Sequence, residues 1–308
     1  MGADRIAVVT SDVGAEHDED LPLLVEALRA DGCAAEAVNW DADSVRWDRY
    51  DLAVIRSTWD YVDRLGEFLA WADATARVTR LRNPAPVVRW NSDKHYLRRL
   101  AERGVPVVPT RWLEPGRTCT EADVDAAGGV VVKPVVSLGA RDTARYEPDR
   151  RADAVRHARM LLDQGRAVMI QPYLHRVEEG ERALAFSAGT FSHAIRKQPL
   201  LNEPGVIDND RTPHPGAARY KPTETEIRTA LRALAAVPVP DPLLFARVDL
   251  ALDGAGDPVV MELELIEPHL FLRYDPQALE RFVTAVGAEC RRDRLDQGRK
   301  PTGRNRSH

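Results

Sequence analysis

The chain has 308 residues, 44% hydrophobic and 30% charged, which gives room for roughly two or three modest domains with substantial cores. Its net charge of −5 excludes a general electrostatic attraction to nucleic acid or anionic membrane, and no run approaches the roughly 18 apolar residues of a membrane helix. Three widely spaced cysteines, Cys33, Cys119 and Cys290, and a start without signal-peptide features argue against a disulfide framework or zinc site and for a soluble protein of the reducing cytoplasm.

Residues 5–10 (RIAVVT) read as a short buried strand, and 18–32 as an amphipathic helix with acids early and Gly32 closing it. Residues 51–61 (DLAVIRSTWDY) form another strand that runs into polar residues. This is a parallel α/β layer, and such sheets bind ligands beyond the carboxyl ends of their strands. Arg56, Ser57 and Thr58, with Asp60, therefore fall where a small substrate would sit, or belong to a loop anchored by Trp59 and Tyr61. In 91–104, Ser92 is placed to cap a helix that Gly104 ends, and VPVVP restarts extended chain.

A small α+β unit follows, with a helical 121–127, strand GGVVVKP, a polar loop, helix 151–165 and strand AVMIQPYL. The pattern then becomes antiparallel, with strands at 181–188 and 190–197 turning near Ala188-Gly189. Residues 199–220 are rich in Pro, Gly, Asn and Asp, and so long a loop is either mobile or functional. A helix at 221–237, strands at 243–252 and 258–266, and a helix at 275–290 complete the fold. The basic 291–308 reads as a disordered end rather than a nucleic-acid contact.

The turn DGAGD folds LLFARVDLAL back on PVVMELELI, which sets Asp249 opposite Glu262 and Glu264 on the same face, diagonal to Asp249. A one-residue slip would undo this pairing. Three carboxylates so close cannot all stay ionised without cations. Oxygen-only ligands favour Mg²⁺, which completes its shell with substrate phosphates. The alternative is a solvated acidic hairpin, which the flanking valines and leucines oppose.

Lys133 ends a strongly apolar strand, where it can neutralise a polyphosphate as a point charge. The next turn offers backbone N–H groups with Ser137 and Thr143 for a phosphate-cradling loop. The extended Gln171–Leu174 backbone suits an adenine edge, and a following carboxylate suits ribose hydroxyls. Neither GxxxxGK[ST] nor GxGxxG occurs, which disfavours a P-loop or dinucleotide site.

Taken in order, Lys94, the VVVKP strand, a small loop, the QPYL hinge, R-V-D and the acidic strand E-L-E resemble the ATP-grasp superfamily of carboxylate–amine ligases, over roughly residues 85–290. The resemblance implies an α/β, in part α+β, fold: a pre-grasp domain (1–90), a central subdomain (91–175), a C-terminal antiparallel subdomain (176–290) and a tail (291–308). It implies Lys94, Lys133 and Ser137 at the nucleotide phosphates. Gln171, Tyr173 and Leu174 would surround adenine, with Glu181 or Glu178 on the ribose. Asp249, Glu262 and Glu264 would hold Mg²⁺, as two ions. Arg247 and Lys133 are the catalytic candidates, Arg247 for the transferred phosphoryl group or tetrahedral intermediate, with Lys197, Arg182 and Arg196 as further cations. Glu264 stands where the family often has Asn, and the phosphate loop has Gly139 where relatives are richer in glycine.

Such enzymes make an acyl phosphate that a nitrogen nucleophile attacks, and residues 199–220 would be the lid, with Arg211 and His214 able to reach substrate. The RSTWDY strand end and the ELIEPHLFLR segment most resemble bacterial small-molecule ligases. These include glutathione-synthetase-like enzymes and those that cyclise O-ureido-D-serine to D-cycloserine in antibiotic biosynthesis. This implies a small amino-acid-like substrate near Arg273, with an intermolecular amino-acid ligase or a non-catalytic nucleotide-binding regulator as alternatives and room for a homo-oligomer.

Overall fold

The computed structural model describes residues 3–297 apart from 202, 211–215 and 240–241, so Arg211, His214 and residues 298–308 lie outside the described residues. The first sheet holds β1 (Arg5–Thr10), β2 (Ala34–Asn39), β3 (Leu52–Ser57) and β4 (Arg80–Arg82), all parallel in the order β2-β1-β3-β4. β1 and β3 are near-continuous apolar runs because both their faces are covered. α1 (Asp12–His17) follows β1, then α2 (Asp20–Ala30) turns Leu21, Leu24, Val25 and Leu28 inward at helical spacing. α3 (Leu65–Thr75) follows β3 and buries Phe68 and Ala72 in the core on the other side.

α4 (Ala85–Asn91) and α5 (Tyr96–Glu102) come next. Ser92 does not cap α5, as the sequence suggested; its hydroxyl donates to Arg89 O at 3.1 Å, closing α4, and Lys94 sits in the turn between the two helices. The second sheet, antiparallel in the order β5-β8-β6-β7, contains β5 (Arg111–Leu113), β6 (Val130–Pro134), β7 (Ala144–Tyr146) and β8 (Val168–Pro172). The expected helix at 121–127 is only a short 3-10 turn. α6 (Arg151–Asp163) covers one face by packing on Val130 and Val132, which leaves Val131 and Lys133 on the other.

The third sheet is antiparallel in the order β11-β10-β9-β12-β13, from β9 (Glu181–Ser187), β10 (Thr190–Lys197), β11 (Ala218–Tyr220), β12 (Phe245–Leu252) and β13 (Pro258–Glu264). The β9–β10 turn uses Ala188 and Gly189 at φ 48° and 77°, the two left-handed residues a tight hairpin needs. α7 (Glu224–Ala235), opened by a Thr223–Glu226 capping box, packs on β12 and β13. α8 (Pro276–Gln297) runs seven residues beyond the expected helix end, since residues 291–297 contain neither glycine nor proline.

The cores are shared between distant segments. Tyr96, Leu97 and Leu100 of α5 pack with Leu184, Val248 and Leu263 of the third sheet. Ile6, Leu24 and Val54 of the first layer pack with Phe245, Leu270 and Phe282. Asn83, fully buried, stitches these parts together: its amide donates to Phe245 O at 2.9 Å and Leu265 O at 2.8 Å, and its carbonyl accepts from Leu244 N–H at 2.9 Å. Asn91 does the same for β13, with Leu263 O and Leu265 N–H both at 2.7 Å. Replacing Asn83 by alanine orphans three buried backbone groups and should cost about 2–4 kcal/mol, read as a lowered thermal midpoint.

Candidate active site

A cavity of about 590 Å³ opens between the second and third sheets. Its acidic wall is the β12–β13 hairpin, where Asp249 pairs with Glu262 and Arg247 with Glu264. Nearer the turn, Leu250 pairs with Val260, so Met261 is an extra residue, a β-bulge. Continued from the turn without the bulge, the ladder would set Asp249 against Met261. The bulge advances β13 by one residue and brings Met261, Glu262 and Glu264 all to the cavity.

Each carboxylate on this wall has a protein cation. Arg247 Nε donates to Asp249 Oδ1 at 2.8 Å and its Nη2 to Asp249 Oδ2 at 3.0 Å and to Glu264, while Nη1 holds His269 O at 3.0 Å. Lys197 Nζ lies 2.7 Å from Asp249 and 3.0 Å from Glu181. Lys94 Nζ lies 3.0 Å from Glu262 and donates to Ser137 O at 2.5 Å. Burial works against every one of these charges, yet Arg247 and Lys197 hold Asp249 below the ordinary carboxylate range, and Lys94 and Lys133 lower Glu262. Glu264 goes the other way: burial, with Asp249 and Glu262 beside it, pushes it up to about 7 despite Arg247. Burial also lowers Lys133, with Glu262 acting against it.

Facing this wall, β6 and β8 present Val131, Lys133 and Gln171 to the cavity, followed by Tyr173 and Leu174. Gln171 donates to Thr110 Oγ1 at 2.9 Å. Backbone donors for an adenine edge are few in this hinge, because Pro172 has none and the Tyr173 N–H is spent on Gly129 O at 3.0 Å. The Tyr173 ring lies under Arg145, at 4.6 Å, and its hydroxyl donates to Glu178 at 3.3 Å. Of the two ribose candidates Glu181 lines the cavity; Glu178 does not.

The roof is the loop Ser137–Thr143 together with Leu200, Leu201, Asn209 and Asp210. Gly139, Ala140 and Asp142 are all left-handed, at φ 61°, 58° and 53°, so the loop makes its turns with a single glycine. Asp142 N–H donates to Asn209 Oδ1 at 2.8 Å and Asn209 Nδ2 returns a bond to Asp142 Oδ1 at 3.0 Å. Arg141 reaches Asp63 in the first layer at 2.9 and 2.7 Å. The phosphate-loop candidate is thereby tied to both of its neighbours.

The family model described as the N-terminal domain of the D-cycloserine synthetase DcsG matches residues 6–83. The cycloserine biosynthesis protein DcsG of Streptomyces lavendulae is 36% identical over 293 residues, 91% of this chain and 97% of that protein. The chain belongs to the DcsG family. The crystal structure of D-cycloserine synthetase DcsG superposes with a TM-score of 0.84 at 36% identity, over 93% of this chain and 99% of that one. D-alanine–D-alanine ligase from Bacillus anthracis (TM-score 0.68, 14% identity, 96% and 100% covered) and a RimK-domain ATP-grasp protein from Sphaerobacter thermophilus (0.64, 18%, 91% and 97%) share the fold. It is the ATP-grasp fold.

Four expected substrate residues do not line the cavity of this DcsG-family chain. Ser57 and Thr58 are fully buried because α1 lies over the end of β3: Ser11 caps the helix and bonds Ser57 O at 3.1 Å, and a Cβ on Gly14 would overlap that carbonyl. Arg56, also buried, donates to Pro268 O and lies 3.5 Å from Asp18 and 3.8 Å from Asp20. Arg273 turns outward to Glu19 and to Tyr274 Oη at 3.2 Å. From this side Val13, Trp59 and Val62 reach the cavity instead. Asp18, Asp20 and His269 bring three possible ligand atoms within 4.8 Å of one another, but the Arg56 guanidinium already supplies the positive charge there. Asp249, Glu262 and Glu264 form no such tight group; their oxygens are turned to Lys94, Lys197 and Arg247.

Glu267 and His269 also line the cavity and escaped the sequence reading, because they lie past the end of the strand, where no alternation marks them. Burial, with Glu264 nearby, pushes Glu267 up to about 8, and burial with Arg56 drives His269 down to about 4. Between the ordinary 4.5 and about 8 the folded state keeps the Glu267 proton while the unfolded chain has lost it, so this group's contribution to stability declines as pH rises. The thermal midpoint of wild type should therefore fall more between about pH 5 and pH 8 than that of Glu267→Gln, whose side chain does not titrate.

Proposed function

We propose that this protein is an ATP-dependent ligase that activates the carboxylate of O-ureido-D-serine and closes it to D-cycloserine. The observation that carries the reading is the meeting of Lys94, Lys133, Lys197 and Arg247 with Asp249, Glu262 and Glu264 in one cavity of a DcsG-family chain. A carboxylate is a poor acyl donor because its leaving group would be oxide. Passing the γ-phosphoryl group of ATP to it gives an acyl phosphate and ADP. The nitrogen bonded to the side-chain oxygen then attacks the acyl carbon, phosphate leaves, and the five-membered ring closes. The carbamoyl group on that nitrogen passes to water as carbamate.

The protein's part in this is charge and alignment. Lys94 and Lys133 would take the phosphates, Lys133 giving up little because burial already disfavours its charge. Arg247 would hold the transferred phosphoryl group. Leu174, Tyr173 and Gln171 would line the adenine end and Glu181 the ribose. Asp249, Glu262 and Glu264, an all-oxygen donor set on one face, would hold Mg²⁺, as two ions, which neutralises phosphate charge when bound. The Ser137–Thr143 loop and the described part of residues 199–220, joined through Asp142 and Asn209, would close together as the lid and keep water from the acyl phosphate. No helix of the described residues is long and apolar enough to cross a membrane, and Cys33, Cys119 and Cys290 are unbridged, which supports a cytoplasmic setting.

With ATP and Mg²⁺, O-ureido-D-serine alone should release phosphate and yield D-cycloserine, followed by a phosphate assay and mass spectrometry. A need for a second amine would point to intermolecular ligation, and no release with any candidate to a regulator. Glu262→Gln should lower kcat at least about 100-fold with the fold intact by circular dichroism, the loss expected when several kcal/mol of metal-borne charge stabilisation go.

A further inference from the structure

The segment that follows β13 is held by side chains from all around it. Asn83 takes Leu265 O at 2.8 Å, Trp59 Nε1 takes Glu267 O at 3.2 Å, and Arg56 takes Pro268 O. Arg247 takes His269 O at 3.0 Å and His193 Nε2 meets Leu270 O at 2.8 Å. Asp20 then accepts from Leu272 N–H and Arg273 N–H at 2.8 and 3.0 Å. Five successive or near-successive carbonyls claimed from elsewhere make an aperiodic loop stiff, the condition for holding a functional side chain in place.

What this loop presents to the cavity is Glu267, only 5% exposed, with His269 beside it. The Tyr61 hydroxyl bonds the Glu267 carboxyl, but Oε2 has no hydrogen-bond partner. Among the described residues no ion pair holds this carboxyl, in contrast to Asp249, Glu262 and Glu264, each of which has its lysine or arginine. A buried, unpartnered acceptor facing a cavity costs free energy unless a ligand donor completes it.

We propose that Glu267 is the receptor for the α-ammonium group of the amino-acid substrate. The assignment rests on the ligase reading and deepens it. Arg247 holds both the acidic wall and His269 O, so the anion-binding end and Glu267 lie along one continuous wall. In an α-amino acid the ammonium sits on the carbon next to the carboxyl, so the site that activates the carboxylate must meet the ammonium close by. Glu267 is a carboxyl of the cavity with no ion-pair partner among the described residues. Burial pushes Glu267 up to about 8, so the empty site rests as the neutral acid and gives up its proton when a cation arrives. His269, driven down to about 4, stays neutral and does not compete.

The test compares full-length wild type with Glu267→Gln and Glu267→Asp, using ATP, Mg²⁺ and two substrates: O-ureido-D-serine and its deamino analogue, 3-(ureidooxy)propanoate. Wild type should prefer the amino substrate in kcat/KM by roughly 10- to 100-fold, the scale of one charge-assisted hydrogen bond. Glu267→Gln should raise KM for the amino substrate by a similar factor and leave the analogue and ATP-analogue affinity unchanged; Glu267→Asp should recover part of the preference. A wild type indifferent to the amino group, or a Glu267→Gln that slows both substrates equally or neither, overturns the assignment alone. A wild type that releases no phosphate with O-ureido-D-serine overturns the ligase reading and this assignment with it.

Discussion

The guanidinium of Arg247, 2% exposed, sits between Asp249 and Glu264, and the rest of the site is arranged around that contact. A buried ion pair is poor value as a stabiliser, since desolvating both partners consumes most of what their attraction returns. It makes sense when the partners have a second use. Here the cations and the carboxylates are both reagents of the proposed reaction, held against each other so that neither lies bare in a low-dielectric cavity. On the ligase reading, nucleotide binding is an exchange of partners: lysines turn from carboxylates to phosphates, and carboxylates from lysines to metal. The protein keeps its charge balance in both states.

That exchange needs fixed walls, and the core supplies them. The acidic hairpin is gripped from behind by Asn83, Asn91 and Tyr96, whose hydroxyl accepts from Leu263 N–H at 3.0 Å. Valines and leucines of β12 and β13 pack against α5 and α7 on the same rear face. Fold and site are therefore one problem: the helices that build the third sheet's core also fix the strand that carries Glu262.

The parts of this arrangement visible in the sequence are those with a short-range signature. Lys133 stands out because a charge ends an apolar strand, and an obvious turn between two apolar runs brings Asp249 next to Glu262, though the bulge at Met261 that completes their pairing has no local signature. Ala188-Gly189 and Gly104 are likewise local chemistry. What escaped depends on contacts between distant residues. β3 is legible as a strand, though it ends at Ser57 rather than Tyr61, and nothing near Arg56 reveals that Asp18, Asp20 and Pro268 claim it, or that α1 covers Ser57. Glu267 lies in an aperiodic stretch whose position is set by Trp59, Arg56 and Arg247, so no spacing rule could have marked it. Ser92 shows the limit of capping signals: one serine can end a helix as readily as begin one.

Met261 is one residue more than the β12–β13 ladder needs. Because pleating alternates, a chain without it would still set Val260 against Leu250 and Glu262 against Asp249, with both glutamates at the front and Leu263 behind. What the extra link adds is a second front-facing side chain beside Glu262, an apolar one against the cavity. The acidic wall is therefore compatible with a hairpin one residue shorter at this point, and what changes with the link is the cavity's hydrocarbon lining rather than its charge.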